Sequence, residues 1–314
     1  MPSEPAAITT AAAALDPPPQ RRRQNAGIGR STQSYIFFVL PYMAILLVFL
    51  VVPLVLGIVL SFQDYDTRYG LNDWVGLGNF LNLLHDSGFR RALRNTVLFV
   101  VVTAPALVFL GLFLALALNN RRRRSAVMRT IFFATSVLSV SVVTLIWRIV
   151  YLPDRGIVSG IFRIFGVPAL QALNSETLAL PAIAVATLWW LVGLPMMLFL
   201  AALRQVPAMV YEAAALDNAN RLRTLLFITL PSIRRTILLA VAVEVVLQLQ
   251  MFGQASLLTG GGPNNASRPI VEYIYEAGFR DQQLGAAAAA SQVLFALVVL
   301  AALVQMWVGG RRRS

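Results

Sequence analysis

The chain has 314 residues, of which 58% are hydrophobic and only 13% are charged, a balance that indicates an integral membrane protein and excludes an ordinary soluble domain. All 26 basic residues are arginines and the net charge is +12, but these arginines flank apolar segments, which argues for membrane orientation and against nucleic-acid binding. Because there is no cysteine and only one histidine, His85, the composition excludes disulfides, thiol chemistry and a Cys/His metal site.

Six apolar segments are long enough to cross a bilayer, which requires about 20 mostly apolar residues in a helix. They are residues 36–62, 95–118, 130–152, 178–203, 232–253 and 287–308. Residues 1–35, rich in proline and arginine, are predicted to be a disordered N-terminal tail, and residues 309–314 form a short arginine-rich C-terminal tail. The predicted fold is an all-α integral membrane protein with six transmembrane helices, in one transmembrane domain over residues 36–308.

The distribution of arginine among the loops predicts how the chain is oriented. The two tails, residues 119–129 and residues 204–235 together hold 17 arginines and four acidic residues. The loops 63–94, 153–177 and 254–286 hold eight arginines and nine acidic residues. Because arginine concentrates on the cytoplasmic side of membrane proteins, both termini are predicted to be cytoplasmic.

The middle of the fourth span contains side chains suited to a ligand. Trp189 and Trp190 are followed within one turn by Gly193 and then by Met196. Aromatic faces stack on sugar rings, and glycine lets a ligand approach the backbone, so this segment could line a cavity. The alternative is an aromatic belt at the interface together with a proline kink. Trp189 lies too deep in the span for a belt, which favours the cavity.

The loop 204–231, between spans four and five, carries more information than the other connections. Its alanine-rich middle predicts a short amphipathic helix parallel to the membrane, with Pro207 at the helix start. Glu212 lies near the positive N-terminal end of that helix, where a carboxylate is stabilising. Asp217 and Asn218 predict a turn, because asparagine tolerates a left-handed backbone. A generic connector is the alternative.

The fifth span has polar side chains at helical spacing. Glu244, Gln248 and Met251 follow one another at i, i+4 and i+7, and so lie along one stripe of a helix. Polar residues inside a membrane span are costly and are functional candidates. The stripe could line a water-filled cavity and bind sugar hydroxyls, or it could hold helices together inside the bundle.

Two motifs resemble those of a known family, and the first lies in loop 204–231. Its spacing of Glu-Ala-Ala, turn residue and Ile-x-Leu-Pro resembles the EAA loop of ATP-binding-cassette importer permeases. That family usually has glycine where this chain has Asn218, and asparagine can adopt the same positive φ. The resemblance implies a cytoplasmic coupling helix between helices four and five, which docks onto an ATPase subunit. The implied coupling residues are Glu212, Ala213, Ala214, Asp217, Asn218, Ile228, Leu230 and Pro231.

The second motif lies in the last outer loop. Residues 258–263 (Leu-Thr-Gly-Gly-Gly-Pro), followed by Tyr273, Tyr275 and Phe279, resemble the first-type permeases of carbohydrate importers, the group of the larger maltose permease. Residues 76–80 agree with that group, and the resemblance extends over residues 36–308. It implies a di- or oligosaccharide as the transported solute. The implied sugar contacts are Trp189, Val192, Gly193, Met196, Glu244, Leu247, Gln248 and Met251.

The resemblance also implies the partners of the chain. They are a second permease, two copies of a nucleotide-binding ATPase, an extracytoplasmic solute-binding protein and the lipid of a bacterial inner membrane. The sequence contains no nucleotide-binding motif, so ATP and magnesium are expected in the partner ATPases. We therefore expect a transport subunit that is not itself an enzyme and that binds no cofactor or metal.

Three other functions are alternatives to that of a sugar importer permease. A cassette permease for an amino acid or a metal is opposed only by the motif at residues 258–263, whereas one for glycerol phosphate belongs to the group that this motif resembles. A secondary transporter would need inverted repeats or an acid pair in the membrane, and Glu244 is the only acid in a predicted span. An intramembrane enzyme would need a Ser–His or paired-Asp arrangement, and His85 lies in an outer loop.

Overall fold

The computed structural model describes residues 32–67, 70–120, 122–153, 155–166 and 170–310. Residues 1–31 of the predicted disordered tail and residues 311–314 of the arginine-rich tail lie outside the described residues. The chain divides into two compact units, residues 1–53 and residues 54–314.

In the first half of the described chain the elements are α1 Thr32–Leu46, α2 Val52–Ser61, β1 Gln63–Asp66, β2 Leu71–Trp74, α3 Gly78–His85, α4 Ser87–Leu118, α5 Arg123–Val137, α6 Val140–Val150 and α7 Ile157–Ile164. In the second half they are α8 Ala179–Leu191, α9 Gly193–Gln205, α10 Ala208–Leu216, α11 Arg221–Thr224, α12 Leu230–Ser232, α13 Arg234–Leu249, α14 Gly253–Leu258, α15 Ile270–Tyr275 and α16 Leu284–Gly310. Three π-helical segments, Leu47–Val51, Leu225–Thr229 and Glu276–Arg280, continue neighbouring helices.

Three unbroken helices are long and apolar enough to cross a membrane: Val39–Ser61, Ser87–Leu118 and Leu284–Val308. Three further candidates are pairs of helices that meet at a bend. The bends are 104° between α5 and α6, 43° between α8 and α9, and 69° between Arg221–Ser232 and α13. The described residues therefore contain three spans, or up to six if each bent pair counts as one.

The first unit is helical throughout its described part. It consists of α1, the π-helical segment Leu47–Val51 and the first residues of α2. Between residues 39 and 53 no side chain is buried within the chain. Since these side chains are almost all apolar, lipid or another protein must cover them.

The second unit is built around α4, which packs against α8, α9, α13 and α15. Near the C-terminal end of α4, Met196, Phe199 and Leu203 of α9 join Ala240 of α13 in an apolar cluster. Gly111 allows this close packing, since a Cβ at that position would lie 2.8 Å from the Cβ of Pro195. The small residue brings two helices together as is common in membrane bundles.

The structure departs from an all-α fold in loop 63–94. Strands β1 and β2 form an antiparallel hairpin in which Gln63 pairs with Trp74. The side-chain amide of Asn79 donates to the carbonyl oxygens of Ser61 (3.0 Å) and Gln63 (2.8 Å) and so fixes the hairpin to α3. The four-residue strands were not predicted because they follow an apolar span without a clear alternation of their own.

Helix caps explain where the observed helices differ from the predicted spans. The second span was predicted from residue 95, but α4 begins at Ser87 because the Asp86 carboxylate accepts a hydrogen bond from the Gly88 N–H (2.8 Å). The third predicted span, 130–152, is interrupted where Ser139 caps α6. The fifth, 232–253, ends at Leu249, and α14 begins at Gly253.

Candidate functional site

The short helix predicted in loop 204–231 is present as α10, and its C-terminal end has a defined turn. Asn218 has φ of 52°, so its predicted left-handed conformation is confirmed. Its N–H donates to the carbonyl of Ala215 (3.1 Å), and the N–H of Ala219 donates to the carbonyl of Ala214 (3.0 Å). This pair of hydrogen bonds is the Schellman arrangement, in which glycine or asparagine closes a helix. Asparagine therefore fills the structural role of the family's glycine.

A second cap follows directly and redirects the chain. The Asn220 side chain accepts a hydrogen bond from the N–H of Arg223 (2.8 Å) and thereby starts α11. The π-helical segment Leu225–Thr229 then leads into α12. Two cavities of about 250 and 360 Å³ lie beside this segment, and Arg223 and Phe227 line both of them.

Much of the loop surface is apolar and exposed. Met209 is 75% exposed, Leu216 85% and Phe227 72%. Among the predicted coupling residues, Glu212, Ala213, Asp217, Asn218 and Pro231 are exposed, Ile228 and Leu230 are half-buried, and Ala214 is buried. Exposed apolar side chains on a polar, arginine-bearing loop are typical of a protein-protein contact.

The predicted ligand residues of span four lie at the bend between α8 and α9. Trp189 is 39% exposed, and its ring is edge-on to that of Trp147 with centroids 5.9 Å apart. Val192, Gly193 and Met196 are buried. A Cβ on Gly193 would lie 2.3 Å from the carbonyl oxygen of Phe132. In this structure the absence of a side chain at Gly193 therefore allows α5 to pack closely, and the space is not open to a ligand.

Trp190 holds the two bends together, a role that the sequence did not reveal. Its indole N–H donates to the carbonyl of Leu138 (3.1 Å), at the break between α5 and α6. Its own carbonyl accepts hydrogen bonds from the hydroxyls of Thr135 (3.2 Å) and Ser136 (3.1 Å). The break in the third span is thus bonded to the break in the fourth.

The predicted stripe of span five faces mainly into its own chain. Glu244, Gln248 and Met251 are almost completely buried, and the Gln248 amide donates to the Glu244 carboxylate (3.2 Å). Met251 lies beyond the end of α13, whereas Leu247 is 44% exposed. Of the eight predicted sugar contacts, only Trp189 and Leu247 are therefore accessible at the surface of this chain.

The glycine-rich outer loop is a tight turn attached to the N-terminal part of α4. Gly260 and Gly261 have φ of 59° and 76°. The Asn95 amide donates to the carbonyls of Asn265 and Arg268, both at 3.0 Å, and the Thr96 hydroxyl accepts from the N–H of Ile270 (2.9 Å). Buried polar side chains of the span thus satisfy the loop backbone.

Charged and aromatic groups continue this attachment. Arg268 forms an ion pair with Glu276 and lies over the Tyr273 ring, 4.9 Å from its centroid. The Tyr273 hydroxyl donates to the carboxylate of Asp86 (2.7 Å). Since Asp86 also caps α4, one carboxylate connects α3, α4 and α15.

Glu272 lies within this network and is 4% exposed. Burial, and next the charge of Glu276, raise its pKa from 4.5 to about 7, although Arg268 and Arg280 act to lower it. Between these two pH values the folded chain holds a proton that the unfolded chain has lost. The free energy of unfolding should therefore fall as the pH rises from 4.5 to about 7 and then level off.

We expect the Glu272→Gln variant to lose this pH dependence, because a neutral amide has no proton to release. The melting temperature of the purified protein in detergent at pH 5 and pH 8 measures the effect. Asp73→Asn, at an exposed site on the hairpin, is the matched control and should retain the wild-type decline. An undiminished decline in Glu272→Gln would contradict the assignment.

Comparison with known proteins places this arrangement among importer permeases. The chain is 31% identical to a diacetylchitobiose uptake system permease protein of Streptomyces coelicolor, with 82% of this chain and 80% of that protein covered. It is 30% identical to a lactose transport system permease protein of Rhizobium radiobacter, with 88% and 94% covered. A chain of a bacterial transporter that imports the acidic polysaccharide alginate has the same fold, with a TM-score of 0.80 at 22% identity over 90% of this chain and 96% of that one.

The model of one protein family matches residues 107–314, about two thirds of the chain. The matched part begins within α4 and includes the bent pairs, loop 204–231 and the glycine-rich turn. The relatives at about 30% identity are permease proteins, in agreement with a transport subunit. The chain belongs to the family of binding-protein-dependent transport system inner membrane components.

Proposed function

We propose that this chain is a permease subunit of an ATP-driven importer and carries a di- or oligosaccharide across the bacterial inner membrane. The observation that carries the proposal is loop 204–231, in which a capped helix presents exposed apolar side chains on a chain without a nucleotide-binding motif. The names of the relatives add the substrate class, since they refer to diacetylchitobiose, multiple sugars and lactose.

The proposal includes the topology and the partners. Each bent helix pair crosses the membrane once, which gives six spans with both termini in the cytoplasm. A second permease completes the pathway, two ATPase subunits bind ATP and magnesium below it, and an extracytoplasmic binding protein delivers the sugar. The alginate importer has been solved with a periplasmic protein bound to an alginate pentasaccharide, and this supports the last of these partners.

Loop 204–231 would couple ATP hydrolysis to transport through its covalent connections. The helix α10 directly follows α9, and α11 leads through the π-helical segment to α12 and α13. A displacement of α10 by an ATPase subunit therefore acts on spans four and five at once. Those spans carry the eight proposed sugar contacts, so an ATPase bound to α10 would act directly on the proposed pathway helices.

We also propose that the eight residues line this chain's share of the pathway. Trp189 and Leu247 are accessible in the present structure, and the other six would become accessible when the helices rearrange during transport. Replacing Trp189 by alanine should lower sugar uptake roughly fivefold, because an aromatic face contributes about 1 kcal/mol to stacking. Uptake of radiolabelled sugar into proteoliposomes containing the whole complex measures this.

The control for Trp189→Ala is Phe109→Ala, which removes another exposed aromatic side chain from a span. That variant should transport at the wild-type rate. Equal uptake by the two variants, at equal amounts of assembled complex, would remove Trp189 from the pathway.

Gln248→Ala is compared with the same control variant, Phe109→Ala. It should also reduce uptake, without altering the affinity of the binding protein for sugar.

Purification of the tagged chain from its native membranes in mild detergent tests the function itself. Mass spectrometry of the copurifying chains should identify a second permease and a nucleotide-binding ATPase. Addition of the binding protein with its sugar should stimulate the ATPase activity of the purified complex. Recovery of this chain without an ATPase, even after crosslinking, would contradict the proposal and favour a secondary transporter.

A further inference from the structure

A cavity of about 590 Å³ lies between the N-terminal turns of α4 and the start of α8. Ala266 of the glycine-rich loop region closes its top. It is at the end of the bundle opposite α10, because α4 runs parallel to α8 and α9, with Phe99 in one cluster with Ile183 and Ala115 in one with Leu203, and the C-terminal end of α9 leads into α10. None of the eight proposed sugar contacts lines it.

The mouth of the cavity carries positive charge that the protein itself does not neutralise. Arg91 donates to the carbonyl of Asn264, and Glu176 accepts from the Asn264 amide (2.5 Å). Arg94, one turn further along α4, has no hydrogen bond or ion pair with any residue that the structure describes. Arg91 and Arg94, on adjacent turns of α4, therefore share the cavity with a single carboxylate, that of Glu176, which already accepts a hydrogen bond. This excess of positive charge favours an anionic ligand.

The deeper part of the cavity is apolar. Leu98 and Val102 of α4 form one wall, and Leu180 and Ala184 of α8 form the other. From Arg94 to Val102 the helix rises about 12 Å, which is most of one leaflet of a hydrocarbon core about 30 Å thick. Leu98 and Val102 are also 43% and 57% exposed at the side of the bundle, so the cleft opens toward lipid.

We propose that this cleft binds one anionic phospholipid, with its phosphate at Arg91 and Arg94 and an acyl chain between α4 and α8. A sugar would need polar groups along its whole length, whereas polar groups here are confined to the mouth. In the proposed topology the lipid belongs to the extracytoplasmic leaflet. It would join α4, α8 and the glycine-rich loop, all of which contact the cleft.

Lipid retention by the purified complex tests the site. The complex is incorporated into detergent micelles with phosphatidylglycerol or phosphatidylcholine, and bound lipid is counted by native mass spectrometry. Phosphatidylglycerol should bind more tightly, and Arg94→Gln should weaken its binding roughly fivefold, as expected for one arginine near a membrane anion.

Arg90→Gln is the matched control, since Arg90 is exposed in the same part of α4 and does not line the cavity. Equal retention by Arg94→Gln and Arg90→Gln, or no preference between the two lipids, would overturn the proposal.

Two further experiments identify the molecule bound in the cleft independently of side-chain charge. A photo-crosslinking amino acid at position 98 should capture phospholipid in native membranes; capture of the second permease instead would overturn the proposal. Millimolar glycerol phosphate should not displace bound phosphatidylglycerol, because the acyl chain supplies most of the contact. Displacement would mean that the cleft takes a free anionic solute. None of these results depends on which sugar the importer carries.

Discussion

Replacing Gly193 by alanine is expected to destabilise the protein by about 3 kcal/mol or more, at the upper end of the range for overpacked cores. The added Cβ would lie 2.3 Å from the Phe132 carbonyl oxygen and 2.8 Å from the Phe133 Cα. Both are backbone atoms of α5, and neither can rotate away as a side chain could. The melting temperature in detergent, together with elution as a single species, measures the loss.

Gly160→Ala is the matched control for this substitution. Gly160 lies in α7, its φ is not positive, and a Cβ there would have no atom within 4 Å. That variant should melt within experimental error of the wild type. If Gly193→Ala instead kept the wild-type melting temperature and lost only sugar uptake, the glycine would serve ligand approach, as its alignment with the family's sugar contacts implies.

Replacing Glu212 by alanine should have the second large effect, on assembly instead of folding. Its carboxylate is exposed on α10 and has no hydrogen bond or ion pair with any described residue, so the isolated chain should melt as the wild type does. Truncation of a hot-spot residue near the centre of an interface costs about 2 kcal/mol or more of binding. We therefore expect at least tenfold less ATPase to copurify with the variant, and a similar loss of sugar uptake.

The control for Glu212→Ala is Asp73→Ala, another exposed acid, on the hairpin of the first outer loop. The two variants change the net charge equally, so a general electrostatic effect would appear in both. Normal recovery of the ATPase with normal uptake in Glu212→Ala would contradict the coupling role of α10. If the ATPase copurifies normally but its ATP hydrolysis no longer responds to sugar, the defect lies in a step that follows docking of the ATPase.

The parts of the structure that the sequence predicted correctly depend on short-range chemistry. The left-handed turn at Asn218 follows from the few residue types that tolerate positive φ, and it was predicted in its correct place. The apolar segments likewise indicated the helices, because burial in lipid requires a long apolar run. The early start of α4 follows from the Asp86 cap, which lies outside the apolar segment and does not alter its hydropathy.

The parts that it could not predict depend on which surfaces meet. Helical spacing placed Glu244 and Gln248 on one stripe, but spacing cannot tell whether a stripe faces a cavity or a neighbouring helix. The structure buries both within the chain and joins them by a hydrogen bond. For the same reason spacing could not show that a backbone atom of α5 lies beside Gly193 in this structure.

The hydrogen bonds of Trp190 have a mechanical consequence. They join the C-terminal end of α5, just before the 104° bend, to the C-terminal end of α8, just before the 43° bend. Because each bend begins at one of these two joined helix ends, α6 and α9 extend from a common base. A force on α9 would therefore act on the same base from which α6 extends, even though no residue of loop 204–231 lies between them.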